Sequence, residues 1–271
     1  MTDPRPLIEA RYGHLPFEPP AEVPDALAAL LDRRVTRRFN PDAIPEPLLN
    51  TVLATAQSAP SKSDMQQYSI VVLEDAKRIA AIADWIGTMP WIKDAPILLI
   101  FCADIRRNRD ICERAGREHA NDNLDTLLNA TVDAALAMGM TIAAADAAGL
   151  GTCPISYVRN HMEKVAPLLS LPKGVFPIAG LSLGWPAARN EPSARLPPGV
   201  VIHRDRYSSE GEAQALSAYD QRRERAKPRY PEIHGPAPEG CTWTENVARQ
   251  LSVPERAGFR AWLRSRGFAL D

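Results

Sequence analysis

The run Arg33-Arg34-Val35-Thr36-Arg37-Arg38-Phe39 constrains this chain more than any other stretch. Four arginines in six positions follow a helix-patterned segment and precede the turn Asn40-Pro41-Asp42. Guanidinium forks match the oxygens of phosphate and carboxylate better than ammonium groups do. The run either ends a helix in solvent, where cations favour the last carbonyls, or forms one side of a site for an anion. The rest of the chain has to supply the remainder of such a site.

With 32 basic against 33 acidic side chains, the formal net charge is -1. No global field therefore draws in nucleic acid or an anionic membrane, and a local basic site points to a small anionic ligand. Residues 1–20 are polar and proline-rich without an apolar run, so they are expected to form an arm and not a signal peptide. The longest apolar segment, 124–150, carries Asp125, Asp133 and Asp146 and is not expected to span a bilayer. Cys102, Cys112, Cys153 and Cys241 lack metal-ligand spacing and the five histidines are dispersed, so no metal site is expected. A reduced cytoplasmic protein fits this cysteine usage.

Apolar spacing at Val23, Leu27, Leu30 and Leu31 predicts a helix over 23–33. Pro45-Glu46-Pro47 opens another, with Leu48, Leu49, Val52, Leu53 and Ala56 as its inner face. Residues 57–67 lack periodicity and form a polar loop, and 36–39 extend as a short strand. Branched apolar runs predict strands at 68–73, 96–102 and 176–183, with 152–158 strand or loop. Further helices are expected over 75–86, 123–148, 160–169, 219–226, 244–250 and 254–266. The helix at 123–148 is apolar on most faces and belongs in a core, with a share in a dimer interface. The aromatic loop 85–91 either covers a planar ligand or packs as an ordinary loop. Gly149-Leu150-Gly151 closes a helix instead of opening one, which excludes a dinucleotide fingerprint. The class is α+β with a helical tail.

Taken in order, R-R-x-x-R-x-F, S-x-S-x-x-Q before a strand, G-L-G after a long helix, and L-G-W-P followed by R-L-P resemble the FMN-dependent nitroreductase superfamily. Within it, the pattern is most similar to the NADPH-using group of major nitroreductases and flavin reductases. The likeness leaves residues 1–20 outside. It implies a central mixed β-sheet surrounded by helices in an intertwined homodimer. The N-terminal arm would be 1–20, the FMN-binding domain 21–206, and 207–271 a helical extension embracing the partner subunit. It further implies two-electron ping-pong hydride transfer, with NADPH or NADH as donor and nitroaromatics, quinones or flavins as acceptors.

Carried over by position, Arg33, Arg34 and Arg37 would grip the FMN phosphate and the ribityl and pyrimidine side. Ser61, Lys62, Ser63 and Gln66 match the loop that passes the flavin. Pro154, Ile155, Ser156 and Tyr157 match the segment over the ring near N5, and Arg195 matches a second phosphate-binding arginine. No side chain is expected to act as nucleophile; Arg37 would tune the ring's charge. Ser193 stands where close relatives carry a lysine, and Ser156-Tyr157 where they often carry two glycines.

Cys153 is a nucleophile or a buried structural cysteine. The cluster Arg222, Arg223, Arg225, Lys227 and Arg229 is a solvated helix face or, through Arg225 and Arg229, a clamp for the 2′-phosphate of NADPH. Other outcomes within the resemblance are a reductive dehalogenase, a flavin-fragmenting branch, or a flavin-binding protein without catalysis.

Overall fold

Two fully buried strands pair at the centre of a four-stranded sheet. In a computed structural model that describes residues 1–223 and 237–271, these are β2 (Ile97–Asp104) and β4 (Val175–Gly184). On the edges, β1 (Tyr68–Leu73) pairs with β2 and β3 (Gly151–Ile155) with β4. Every pairing between these strands is antiparallel. Among the described residues, the parallel pairing expected of a mixed sheet is confined to the bridge Val35–Thr152.

Both sheet faces are covered. Along β2, Ile97, Leu99, Phe101 and Ala103 join one core cluster, while Leu98, Ile100 and Cys102 join another, as the pleat's two-residue period dictates. The first cluster is closed by α3 (Glu46–Gln57), α6 (Leu124–Ala147) and α11 (Phe259–Ser265). The second is closed by α4 (Ala76–Ile86) and α7 (Met162–Leu168). The sequence pattern did not show α5 (Arg106–Arg114), which buries none of its residues. These elements form the larger of two units, Val35–Arg189 with Glu255–Asp271.

The long helix α6 inverts its expected packing. Apart from Leu127, its buried face is small or polar, with Thr126, Ala130, Asp133, Ala134, Ala137, Thr141 and Ala145. Leu124, Leu128, Val132 and Leu136, expected in the core, are exposed at four-residue spacing on one face. By length and composition alone this helix could cross a membrane; here it carries the inner face of a core helix.

Gly149 closes α6 with φ 76°, the left-handed cap that G-L-G predicts. Gly151 answers a different need. A Cβ there would lie 2.3 Å from Thr36 Oγ1 and 2.6 Å from Thr36 Cβ, because Thr36 N donates to Thr152 O at 2.8 Å. The segment 36–39 is anchored by bridges at Val35 and Phe39 and does not form the expected strand. Gly151→Ala is expected to push residues 35–36 off β3 and cost about 1–3 kcal/mol, read as a lowered thermal midpoint. An unchanged midpoint would show that the approach tolerates a methyl group.

The smaller unit joins Met1–Arg34 to Asn190–Pro254. It holds α1 (Arg5–Tyr12), α2 (Asp25–Leu31), the single turn α8 (Pro198–Val201), α9 (Glu212–Arg222) and α10 (Trp243–Leu251). Tyr219, only 2% exposed, sits edge-on to Trp243 at 5.5 Å and donates its hydroxyl to Ala194 O at 3.4 Å. Residues 1–20, expected as an arm, contain a helix and the bridge Thr2–Val23. Two expectations change here. In α2, Ala28 is the buried residue, while Leu27 and Leu30 are exposed. The helix expected at 219–226 begins at Glu212, and residues 224–226 lie outside the described residues. The unit boundaries also cut the chain elsewhere than at 20/21 and 206/207.

Candidate functional site

The boundary between units splits the arginine run: Arg33 and Arg34 belong to the smaller unit and Arg37 to the larger. Within the smaller unit, Arg195 N donates to Arg11 O at 2.8 Å. Arg11 lies in the last turn of α1 and is 8% exposed. Its Nε donates to Leu31 O at 3.0 Å, its Nη1 to Ser193 O at 3.1 Å, and its Nη2 to Arg33 O. Burial pushes the Arg11 guanidinium below its ordinary value, and the like charges of Arg195, Arg33 and Arg34 press in the same direction. Asp32, 2.7 Å from Arg34 Nη1, is the one carboxylate paired with any of these four arginines among the described residues. Arg34 Nε is buried with no hydrogen-bond partner.

In the larger unit, the loop between α3 and β1 is clamped from both sides. Lys62 N and Gln67 N donate to Oδ1 and Oδ2 of Asp133 at 2.8 and 3.0 Å, and Asp133 is 1% exposed on the inner face of α6. From α5, Arg107 Nη1 donates to Gln66 O at 2.8 Å, while its Nη2 donates to Ser69 Oγ at 2.9 Å and Asp104 Oδ2 at 3.3 Å. Between the clamps, Ser63, Asp64 and Gln66 take φ of 50°, 56° and 50°. Left-handed backbone at non-glycine residues is uncommon and persists only where the surroundings over-determine it. Three such residues within four positions mark a loop held for a purpose.

The side chains of this loop face outward. Lys62, Ser63 and Gln66 are exposed and Ser61 is half-buried. Ser61 Oγ accepts from Gln66 N at 3.3 Å, and Lys62 Nζ donates to Ser63 Oγ at 3.1 Å. A cavity of about 570 Å³ runs along Gln66, Tyr68, Ser69, Ile70 and Arg107; of the residues carried over by resemblance it includes Gln66 alone.

At the end of β3, Pro154 and Ser156 are exposed and Tyr157 is half-buried. Ile155 is 1% exposed and packs its side chain into the second core cluster, so it offers a ligand only its main chain. Arg37 is exposed with its guanidinium 6.0 Å from the centroid of Trp91, a buried core residue. The aromatic loop thus packs, and its tryptophan positions an arginine. Arg38 is exposed, and its carbonyl accepts from Ala187 N at 2.9 Å. Cys153 is buried in the core. Arg225 and Arg229 lie outside the described residues.

The profile of the nitroreductase family matches residues 30–185, and that of the nitroreductase family C-terminal domain matches residues 193–271. The chain belongs to the nitroreductase family. This nitroreductase is 31% identical over 250 residues to an FMN reductase [NAD(P)H] of Bacillus subtilis, across 91% of its own length and 99% of the relative's. It is 31% identical over 240 residues to an oxygen-insensitive NADPH nitroreductase of Salmonella typhimurium, across 89% and 96%. Among solved structures it is similar to the NADPH:FMN oxidoreductase from Vibrio harveyi complexed with NAD+, with TM-score 0.79, 27% identity, and coverage of 91% of this chain and 99% of that one.

The resemblance did not name Arg11, Asp133, Arg107 or Trp91. A signal existed for Asp133: a carboxylate in line with Ala130, Ala134 and Ala137 on a helix face of small residues. None existed for Arg11, whose partners Leu31, Arg33 and Ser193 are distant in sequence.

Proposed function

We propose that this nitroreductase is an FMN-dependent NAD(P)H oxidoreductase that reduces small aromatic or quinoid acceptors. The observation that supports this reading is a group of arginines offset, among the described residues, by one carboxylate, with a buried guanidinium nitrogen left unpartnered. That donor set fits a dianionic phosphate monoester. When bound, FMN supplies the hydride chemistry: acceptance from a reduced nicotinamide and delivery to the second substrate.

The chain's own residues bind, orient and tune. Arg33, Arg34 and Arg195 donate to the phosphate. Ser61, Lys62, Ser63 and Gln66 present hydroxyl, ammonium and amide groups from a loop fixed in advance by Asp133 and Arg107. Pro154, Ile155, Ser156 and Tyr157 would form the segment over the ring near N5, Ile155 through its main chain. Arg37, steadied by Trp91, places a cation where a reduced flavin gains negative charge. Arg225 and Arg229 are assigned to the 2′-phosphate of NADPH, consistent with the NADPH named for the Salmonella relative. The exposed stripe Leu124, Leu128, Val132 and Leu136 favours a homodimer, with 207–271 reaching the partner subunit and the protein in the cytoplasm.

Anaerobic mixing of the purified yellow protein with NADPH is expected to bleach the flavin's visible band, and a quinone to restore it. A band that NADPH and NADH both leave unbleached would favour a flavin-binding protein without catalysis.

A further inference from the structure

We propose that α1, which lies before both matched family regions, is part of the anion site. Arg11 gathers Arg33, Arg34 and Arg195 into one cluster for a phosphate monoester, and the bound anion fastens the N-terminal segment in place. This rests on the assignment of FMN as ligand and adds a residue and a coupling to it.

Three observations carry the inference. First, each nitrogen of the Arg11 fork takes a main-chain carbonyl from a different place: Leu31 and Arg33 at the end of α2, and Ser193 beside Arg195. The last carbonyls of a helix lack intrahelical partners and favour a cation, which explains how a buried arginine persists there without an acid. A lysine, with one nitrogen at the end of a flexible stem, cannot span three such acceptors in fixed geometry.

Second, the charges do not balance. Arg11 feels the like charges of Arg195, Arg33 and Arg34, the one carboxylate paired with any of the four among the described residues is Asp32 on Arg34, and Arg34 Nε is buried without a partner. Like charges gathered around a buried guanidinium repel, and a bound dianion offsets them.

Third, α1 is docked from the other side as well. Gly13 ends it with φ 75°, and a Cβ there would lie 2.4 Å from Arg222 Cδ. Arg222 Nη1 lies 3.3 Å from His14 Nδ1. The N-terminal segment is thus fitted around an arginine whose side chain, among the described residues, bonds the main chain beside the other three.

The test uses the full-length protein stripped of flavin and titrated with FMN and with riboflavin, which lacks the phosphate. Wild type is expected to prefer FMN. Arg11→Gln is expected to weaken FMN binding by about tenfold or more, the worth of a charge-assisted contact, while leaving riboflavin binding unchanged. Inorganic phosphate is expected to raise the thermal midpoint of the flavin-free wild type and not that of Arg11→Gln. Arg5→Gln, in the first turn of α1, removes the exposed pair that ties this helix to Glu18; it controls for loosening of α1 and should keep the preference for FMN. Equal weakening of both flavins by Arg11→Gln, or the same loss in Arg5→Gln, makes Arg11 a support of the fold and overturns the proposal. If Arg11→Gln prefers FMN as strongly as wild type, the proposal fails and the FMN assignment stands. A wild type that binds riboflavin as tightly as FMN overturns both.

Discussion

Asp133→Ala is expected to be the most damaging single change at the site. It strips Lys62 N and Gln67 N of the carboxylate that holds them at 2.8 and 3.0 Å. An unsatisfied buried amide costs about 1–3 kcal/mol; Gln67 N bears that cost in full and the part-buried Lys62 N less, so the two together cost about 2–4 kcal/mol. At roughly 2–4 °C per kcal/mol for a chain of this size, the melting temperature should fall by several degrees or more. The loop has no reason to keep Ser63, Asp64 and Gln66 left-handed once released, so FMN affinity should fall with stability. Asp133→Asn keeps one acceptor and turns an NH2 toward the other amide, which places it between wild type and alanine in both measurements. Calorimetry and a flavin titration check the series. If Asp133→Ala melted and bound FMN like wild type, the loop would owe its shape to something else.

Arg37→Ala should yield protein that loses its flavin on gel filtration, while Arg38→Ala stays yellow. Both side chains are exposed, so a general effect of removing surface charge would strike them alike. They differ in surroundings: Arg37 lies over the Trp91 ring at 6.0 Å, and among the described residues no ring lies under Arg38. Trp91→Leu is expected to act in the same direction as Arg37→Ala but more weakly, because it frees the guanidinium without removing it; a cation–π contact of this kind is worth about 0.5–2 kcal/mol. The ratio of protein to flavin absorbance after desalting measures all three. Equal retention in Arg37→Ala and Arg38→Ala would remove Arg37 from the site.

The sheet was legible because its strands are short branched runs, and Tyr68–Leu73 matches its expected bounds. Burial on both faces turned 97–103 into a continuous apolar run, and runs of that kind survive without alternation. The orientation of α6 was not legible. A helix made largely of alanine and leucine has no strong polar face, and close packing on the sheet selected its small side over its large one. Helix α5 was missed because Arg106-Arg107-Asn108-Arg109-Asp110 shows no apolar period, its ties being polar. At the site, spacing marked the residues that offer donors outward. The buried residues that hold them, Arg11 and Asp133, act through main-chain atoms far away in sequence, where side-chain type leaves no pattern.

Each unit closes only when its last segment arrives. The smaller one needs Asn190–Pro254 to meet Met1–Arg34, and the larger one needs Glu255–Asp271, whose Leu263, Phe268 and Leu270 are in the first core cluster. Synthesis runs from the N-terminus, so Arg11, Arg33 and Arg34 leave the ribosome long before Ser193 and Arg195 exist to join them. Closing such long loops carries an entropy that local contacts cannot offset. A nonsense codon anywhere from 255 to 263 would spare Arg11, Arg33, Arg34 and Arg195 and still leave the sheet without Leu263, Phe268 and Leu270 of its core.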